Sequence, residues 1–194
     1  MFETIEILDR VDSTNDHLKA FISEGIPRMV VAGEQTAGKG RHGRRWHSPP
    51  GRGLYVSYLY FPTWELARSE VINQASSLAV ADTIRRFDPQ ADVRLKRPND
   101  VYIGTRKVCG ILTELGSTGE RVNWAIVGIG VNLYQREFPA ELEATATSLE
   151  RERIKVAHVL DFCGELTARL AHNLELAASP DWKKLEMRYE QEVR

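Results

Sequence analysis

Five cationic side chains are concentrated in the glycine-rich stretch Gly33–Gly53. No aspartate or glutamate occurs from Gln35 through Trp64. The cations are Lys39, Arg41, Arg44, Arg45 and Arg52. Because arginine can grip a carboxylate or phosphate with two hydrogen bonds, the stretch predicts a loop that covers an anionic ligand. Trp46 in the same stretch offers an aromatic face on which a nucleotide base could stack. A solvated basic loop without a ligand is the alternative.

Two known phosphate-binding patterns can be laid over this stretch, but neither fits. Gly33 to Lys39 matches a P-loop up to its last position, where Gly40 replaces the required serine or threonine. The spacing Gly38-x-Gly40-x-x-Gly43 matches the dinucleotide fingerprint, which requires a helix after the loop. Pro49 and Pro50 disfavour such a helix, so we expect the loop to continue directly into a strand at Leu54.

Two further polar clusters lie farther along the chain. Lys96-Arg97-Pro98-Asn99-Asp100 interrupts a strand, because proline cannot pair regularly there. Its lysine could bind an anion, and its aspartate a magnesium ion or a ribose hydroxyl. Gly128-Ile129-Gly130-Val131-Asn132 ends an otherwise apolar strand. Glycines inside a strand indicate either a closely approaching ligand or tight packing, and the sequence leaves both open.

The composition limits the kinds of protein that could hold these clusters. The chain has 194 residues, 42% hydrophobic and 27% charged, which suits one globular domain over residues 1–194. A net charge of −1 excludes a protein that binds nucleic acid through an overall basic charge. Cys109 and Cys163 have no metal-ligand spacing, and neither a signal peptide nor a membrane-length apolar run is evident. We therefore expect a cytoplasmic protein that contacts no membrane.

Periodicity predicts the elements that must position the clusters. Strands are expected at 3–8, 29–32, 54–61, 93–97 continuing at 101–103 after the interruption, 107–115 and 122–133, and helices at 15–25, 69–87 and 154–193. The fold class is α+β, with a mixed, largely antiparallel sheet, helices packed on one face and the other face free for a ligand. Strand alternation places Val93 and Leu95 on one face, and Arg94 and Lys96 on the other. Strand 122–133 could lie inside the sheet, or at its edge where a second copy would pair.

Five motifs, in this order and spacing, resemble the catalytic domain of biotin protein ligases, a fold shared with class II aminoacyl-tRNA synthetases. They are Asp12-Ser13-Thr14-Asn15, the stretch 35–46, Lys96-x-Pro98-Asn99-Asp100, Lys107-x-x-Gly110-Ile111-Leu112 and Gly128-x-Gly130-x-Asn132. The resemblance covers roughly residues 8 to 135. It implies an enzyme that uses ATP and Mg²⁺ to activate biotin as biotinyl-5′-AMP. The biotinyl group then passes to a lysine of a biotin carboxyl carrier protein, such as an acetyl-CoA carboxylase subunit.

The resemblance also implies a role for each matched residue. Lys96 and Arg41 are the expected catalytic residues. The expected biotin-binding residues are Ser13, Thr14, Asn15, Gln35, Gly38, Lys39, Gly40, Arg41, Lys96 and Gly110. The expected ATP- and adenylate-binding residues are Arg41, Arg44, Trp46, Asn99, Asp100, Lys107 and Asn132. Metal ligands remain unassigned.

The sequence departs from the family pattern at two positions and in its domain content. Lys39 stands where the family usually has arginine. Lysine keeps the positive charge but lacks the planar guanidinium that can bind an anion with two hydrogen bonds. Arg97 stands where the family usually has tryptophan, so the resemblance places a cation where the wall of the biotin pocket usually has an indole. The 194 residues contain neither the small C-terminal β-barrel common in the family nor the N-terminal helix-turn-helix of its repressor members. We expect no DNA partner, and a homodimer is compatible with the sequence.

Two other functions remain open. A lipoate or octanoate protein ligase or transferase would share the fold, although the typical arginine-rich motif running into three glycines does not occur in the sequence. A non-catalytic nucleic-acid-binding module would use the basic loop with Trp46, Tyr55, Tyr58 and Tyr60. That module would leave the polar motifs at 96–100 and 128–132 without a role.

Overall fold

The computed structural model describes residues 2, 4–62 and 64–193 as one seven-stranded sheet with helices on both sides. The strands are β1 (Thr4–Leu8), β2 (Arg28–Ala32), β3 (Gly53–Tyr60), β4 (Val93–Lys96), β5 (Asp100–Ile103), β6 (Arg106–Thr118) and β7 (Arg121–Asn132). The helices are α1 (Thr14–Lys19), α2 (Glu70–Phe87), α3 (Ala140–Glu143), α4 (Val159–Ala178) and α5 (Lys183–Glu192). Single 3₁₀ turns occur at Ile22–Glu24, Arg41–Gly43 and Leu66–Arg68.

The strands lie in the order β1-β2-β3-β7-β6-β5-β4, and only the β1–β2 pair is parallel in this sheet. The predicted mixed, largely antiparallel sheet is therefore confirmed. β7 pairs with β3 on one side and β6 on the other. Strand 122–133 is thus inside the sheet, and the alternative that it forms an edge is wrong. The outer strands of the described sheet are β1 and β4.

The three long helices form one layer on one face of the sheet. α2 packs against β4, β5 and β6, and α4 and α5 pack against α2. Leu78, Ile84, Phe162 and Leu166 are fully buried in this layer. Burial of each such side chain contributes about 1.5–3 kcal/mol to the stability of the fold.

The short helix α1 lies on the opposite face, where it covers only part of the sheet. Its Leu18 packs with Val30, Leu59 and Ile126 in a separate small core. The prediction that helices pack on one face therefore holds only for the long helices. The uncovered part of this second face is available to a ligand.

Two predicted helices differ from those in the structure. The helix expected at 15–25 ends at Lys19, and a 3₁₀ turn follows until Gly25, whose φ is 68°. The helix expected at 154–193 begins only at Val159 and is broken between Ala178 and Lys183, where Pro180 stands. The expected strand start at Glu3 lies outside the described residues.

Strand alternation in β4 is confirmed, but residues 97–99 form the hairpin turn between the antiparallel strands β4 and β5, so the prediction that residues 96–100 interrupt a single strand is wrong. Val93 and Leu95 are buried while Lys96 is exposed, as strand alternation requires. Cys109 and Cys163 are buried free thiols. Within the part of the chain that the structure describes, no helix combines the length and apolar character needed to cross a bilayer.

Candidate functional site

A cavity of about 460 Å³ lies on the sheet face opposite the long helices. Alternate residues of a strand point to opposite faces, so Gly128 and Gly130 face this cavity while Val127 and Val131 enter the helical core. All of the predicted site residues line the cavity except Gly38 and Lys96. Five separate sequence motifs therefore meet at one place.

The Asn15 side chain is fixed at the α1 end of the cavity. Its Oδ1 accepts a hydrogen bond from Ser57 Oγ at 2.6 Å. Its Nδ2 donates to Glu114 Oε2 at 2.8 Å and to Leu112 O at 3.3 Å. Because Asn15 is 96% buried, with 4% of its surface exposed, these bonds define how its amide is oriented.

Cross-strand register explains why Asn15 fits there. Ser57 lies opposite Gly128, and Gly128 lies opposite Leu112 on the other side. These three residues form one row across β3, β7 and β6, which we call the Asn15 socket. A Cβ at Gly128 would lie inside 3.0 Å of Asn15 Oδ1, so only glycine leaves room for the amide.

Thr14 and Gln35 extend the same network. The Thr14 backbone N–H and Oγ1 donate to Gln35 Oε1 at 2.9 and 3.1 Å. Gln35 Nε2 donates to Ser48 Oγ at 3.0 Å. Ser13 caps α1 by accepting a hydrogen bond from the Asp16 N–H at 3.4 Å. The polar residues at this end of the cavity are therefore oriented by hydrogen bonds within the protein.

A second row, one pleat along the sheet, holds Trp46. Gly130 lies opposite Gly110, and together they form what we call the Trp46 socket. A Cβ at Gly130 would lie inside 3.0 Å of the indole Nε1, and one at Gly110 would lie 3.0 Å from Cζ3. Trp46 Nε1 is buried and has no hydrogen-bond partner among the described residues. The strand glycines thus serve tight packing, and the side chains that they accommodate belong to the site itself.

Lys107 and Asp100 complete the Trp46 end of the cavity. Lys107 Nζ forms an ion pair with Asp100 Oδ1 at 2.6 Å and lies 5.4 Å from the centroid of the Trp46 ring. Asn132 is buried and donates to Thr147 O at 2.9 Å, while its Oδ1 accepts from Gln135 at 3.0 Å. Asn132 therefore also ties the end of β7 to the segment that follows it.

The cationic stretch forms an exposed loop over the cavity. Its only helical part in the described chain is the 3₁₀ turn Arg41–Gly43, so the expected absence of a helix after the glycines is correct. Arg41, Arg44 and Arg45 are exposed. Arg41 Nη1 donates to Asn99 Oδ1 at 3.4 Å. Guanidinium groups so placed can neutralise an anion in the cavity below.

Lys39 links this loop to α1. Its Nζ forms an ion pair with Asp16 Oδ2 at 2.5 Å, and Asp16 also pairs with Lys19 at 2.9 Å. Partial burial opposes ionisation of Asp16, but hydrogen bonds from both lysines outweigh it and lower the pKa of this carboxyl. Glu114 pairs with Lys19 at 2.7 Å and, through its hydrogen bond, raises the pKa of Lys19. Lys39 is thus held by a charge network at the rim.

Three residues lie elsewhere than the resemblance implied. Lys96 is exposed, and its Nζ lies 5.3 Å from the centroid of the Tyr102 ring, which itself lines the cavity. Gly38 does not line this cavity. It packs against Ser48, where a Cβ would be 2.7 Å from the serine Oγ. The expectation that Arg97 forms part of the cavity wall is wrong, because its side chain pairs with Glu190 of α5.

Several residues that line the cavity or hold its lining in place escaped sequence reasoning. Ser57 and Glu114 hold Asn15, and the single small polar residue inside the apolar run Leu54–Phe61 was a signal for Ser57. The segment after β7 also contributes to the cavity lining, although its sequence has no useful periodicity. Its lining residues are Phe138, Leu142 and Thr145. Tyr55, Tyr58 and Tyr60 are buried in the fold, so they cannot offer faces for stacking nucleic-acid bases.

Carboxylates are scarce at the site. Asp100 is the one acidic residue among the described residues lining the main cavity. The ranges 4–62 and 64–193 contain no group of three or more His, Cys, Asp or Glu side chains that could hold a metal ion. The arrangement is therefore suited to binding an anionic ligand, and one carboxylate is available to a cation that arrives with that ligand.

Residues 7–132 match the model of the biotin/lipoate A/B protein ligase family. The chain is 39% identical over 160 residues to the bifunctional ligase/repressor BirA of Bacillus subtilis, a match that covers 78% of this chain and 49% of BirA. It is 34% identical over 157 residues to the biotin–[acetyl-CoA-carboxylase] ligase of Paracoccus denitrificans, covering 80% of this chain and 65% of that protein. The chain thus spans about half the length of the BirA proteins it matches.

A solved structure is similar over nearly the whole chain. The biotin protein ligase from Aquifex aeolicus in complex with biotin and ATP superposes with a TM-score of 0.85 at 33% identity. The superposition covers 99% of this chain and 79% of that one. The similarity therefore extends beyond the matched motifs to α4 and α5.

Proposed function

Because this chain belongs to the biotin/lipoate A/B protein ligase family, we propose that it is an ATP-dependent biotin protein ligase. It activates biotin as biotinyl-5′-AMP and transfers the biotinyl group to a specific lysine of a biotin carboxyl carrier protein. The similarity to proteins named as biotin ligases favours biotin over lipoate or octanoate. The burial of Tyr55, Tyr58 and Tyr60 disfavours the nucleic-acid-binding module.

One observation carries the proposal: a single cavity has two chemically different ends beneath one cationic loop. The Asn15 end presents oriented polar groups, and the Trp46 end presents an indole next to the Lys107 ammonium. A small polar ring system such as the biotin head suits the first end. A purine nucleotide suits the second, where stacking and positive charge are combined.

In the first reaction, a carboxylate oxygen of biotin attacks the α-phosphorus of ATP, and pyrophosphate leaves. Two anions must approach each other, so electrostatic repulsion is the main obstacle. Arg41 and Lys39, on the loop over the cavity, neutralise this charge and hold the resulting adenylate. In the second reaction, the amine of the acceptor lysine attacks the biotinyl carbonyl, and AMP leaves.

Magnesium would enter with the ATP phosphates and neutralise part of their charge. Asp100 fits as a single carboxylate ligand, since Mg²⁺ bound to nucleotides needs only one or two protein carboxylates. Asp100 is already paired with Lys107 at 2.6 Å, which orients it at the Trp46 end.

Lys96 acts from the rim of the cavity as a second source of positive charge. Its Nζ lies over Tyr102, a cavity residue, and its four-carbon side chain is long enough to turn toward the junction of the two ligands. We expect Lys96→Ala to lower the rate of adenylate formation at least tenfold, in line with the loss of one charged stabilising group. Lys183→Ala, an exposed lysine on α5, is the control and should leave the rate unchanged.

The direct test of the function is ATP–pyrophosphate exchange with biotin, lipoate or octanoate, each with and without magnesium. We expect exchange with biotin and magnesium. Exchange with lipoate or octanoate but not biotin would contradict the assignment. Absence of exchange with all three acids would contradict the catalytic proposal.

The proposal extends to the organisation of the protein. Residues 1–194 act as one catalytic domain in the cytoplasm, without a DNA or membrane partner. Its partners are biotin, ATP and the carrier protein. A homodimer could form through the outer strand β1. Sedimentation of the protein with and without biotin and ATP would measure its oligomeric state.

A further inference from the structure

Arg97 joins the turn at residues 96–100 to the C-terminal helix α5. Its guanidinium pairs with Glu190, and its Cζ lies 5.7 Å from the centroid of the Tyr189 ring. The Tyr189 hydroxyl donates to Pro98 O at 3.4 Å. Val193, just after α5, forms a parallel bridge with Leu95. Two consecutive residues of the turn are therefore held by α5.

Helix α5 is itself anchored to the core. Arg188 donates to Asp82 Oδ2 of α2 at 2.9 Å, and Arg85 of α2 donates to Glu192 at 2.8 Å. Tyr189 is 1% exposed. Since the contacts of Arg188 and Glu192 with α2 do not involve the turn, α5 provides a fixed support against which the turn can be held.

The supported turn leads to Asn99, which contacts the cationic loop. Asn99 is buried, and its Nδ2 donates to Ile111 O of β6. Its Oδ1 accepts from Arg41 Nη1 at 3.4 Å, the contact that connects the loop to the turn across the cavity. A continuous series of contacts therefore runs from α5 through Pro98 and Asn99 to Arg41.

We propose that α5 is a positioning element of the site, with Arg97, Tyr189 and Glu190 fixing the turn so that Asn99 holds Arg41 over the cavity. None of these three residues lines the cavity. They act through Asn99, so their loss should affect retention of the ligand more than its initial binding. The inference rests on the proposed function, because the retained ligand is the acyl-adenylate.

A charge exchange tests the Arg97–Glu190 pair. Arg97→Glu and Glu190→Arg each place like charges side by side, and the double variant restores an ion pair with reversed polarity. We expect each single variant to release biotinyl-adenylate roughly two- to fivefold faster, as for loss of an exposed ion pair, and the double variant to recover. Arg94→Glu is the matched control, since Arg94 lies on β4 just before the turn and pairs with Asp92 instead of α5.

Tyr189→Phe tests the second contact without changing the packing volume. Removal of the hydroxyl that donates to Pro98 O should speed adenylate release roughly two- to tenfold. The KM for ATP should stay nearly unchanged, because α5 does not contact the cavity. A purely structural role would instead lower the melting temperature and change all kinetic parameters together.

Hydrogen exchange of segment 95–101 in the unliganded protein provides a readout that does not depend on activity. We expect faster exchange in both single charge variants and recovery in the double variant. Unchanged exchange, or faster exchange without faster adenylate release, would overturn the inference. Failure of the unmodified protein to form adenylate would contradict the proposed function instead, and the exchange data would still decide whether α5 orders the turn.

Discussion

Gly128 and Gly130 lie two residues apart on the same face of β7, yet the side chains that they accommodate are held in different ways. Over Gly128, the Asn15 amide makes hydrogen bonds with Ser57, Leu112 and Glu114. Over Gly130, the Trp46 indole is held by its fit against the strands, and its Nε1 has no partner among the described residues. The Asn15 socket holds a polar group through hydrogen bonds, whereas the Trp46 socket holds an aromatic ring through close packing.

This difference determines what each end of the cavity can discriminate. A site built from oriented hydrogen-bonding groups rejects ligands that leave those groups unpaired, often by several orders of magnitude. A stacking surface tolerates more variation, because every base has an aromatic face. We therefore expect strict selection of the acid at the Asn15 socket, and weaker selection of the nucleotide at the Trp46 socket.

The largest effect should come from a methyl group in the Asn15 socket. In Gly128→Ala, the new Cβ overlaps Asn15 Oδ1, and the buried amide cannot move without breaking its hydrogen bonds. We expect a loss of about 2–4 kcal/mol in the free energy of unfolding, from steric strain together with unpaired polar groups. Urea unfolding measures it, and a loss below about 1 kcal/mol would show that the socket is adaptable.

Removal of the serine hydroxyl tests the hydrogen bonds of the same socket without adding atoms. Ser57→Ala leaves Asn15 Oδ1 without its donor, and we expect to lose about 1–3 kcal/mol of stability and much of the biotin affinity. Ser76→Ala is the matched control, since this buried hydroxyl donates only to Ile72 O within α2. Equal effects of the two variants on biotin affinity would show that Ser57 has no specific role in biotin binding.

A methyl group in the Trp46 socket should cost less. In Gly130→Ala, the new Cβ overlaps the indole, but Trp46 is only partly buried and lies on a loop that can shift. We expect about 1 kcal/mol of lost stability, at the lower end of the range for overpacking. A loss as large as that of Gly128→Ala in the same urea experiment would mean that the two sockets are equally rigid.

The smallest effect is expected for Asp16, whose ion pair with Lys39 links the cationic loop to α1. Because the pKa of Asp16 is lowered in the folded protein, its ion pairs stabilise the fold above the unfolded-state pKa. That contribution is lost as pH falls through the lowered folded-state value. Asp16→Asn should therefore cost less than about 1 kcal/mol at pH 7, and the difference from the unmodified protein should narrow below about pH 4. A difference that persists at pH 2 would contradict the ion-pair account.

The sequence was informative wherever a local pattern determined the structure. The helical spacing of apolar residues over 69–87 predicted α2. Strand alternation predicted which side of β4 is buried. The break before α5 was missed, although Pro180 marks it. Proline lacks a backbone N–H and clashes with the preceding helical turn, so this break follows from the local sequence alone.

The candidate site was predicted in its motifs but not in its supports. Ser57 and Asn15 are 42 positions apart, and Asn15 and Glu114 are 99 apart, so no local pattern links them. Arg97 was misplaced for the same reason, because its partner Glu190 is 93 positions away. Residue types suggested which groups could contact a ligand, whereas the fold decides which groups hold them in place.

Titration of biotin and of ATP into both glycine variants tests the central claim most directly. If the Asn15 socket binds the acid and the Trp46 socket binds the nucleotide, Gly128→Ala will weaken biotin binding selectively. Gly130→Ala will weaken ATP binding selectively. Calorimetry at a temperature where both variants are folded gives the four affinities. Equal weakening of both ligands by both variants, or the reverse pattern, would contradict the assignment of the two ends of the cavity.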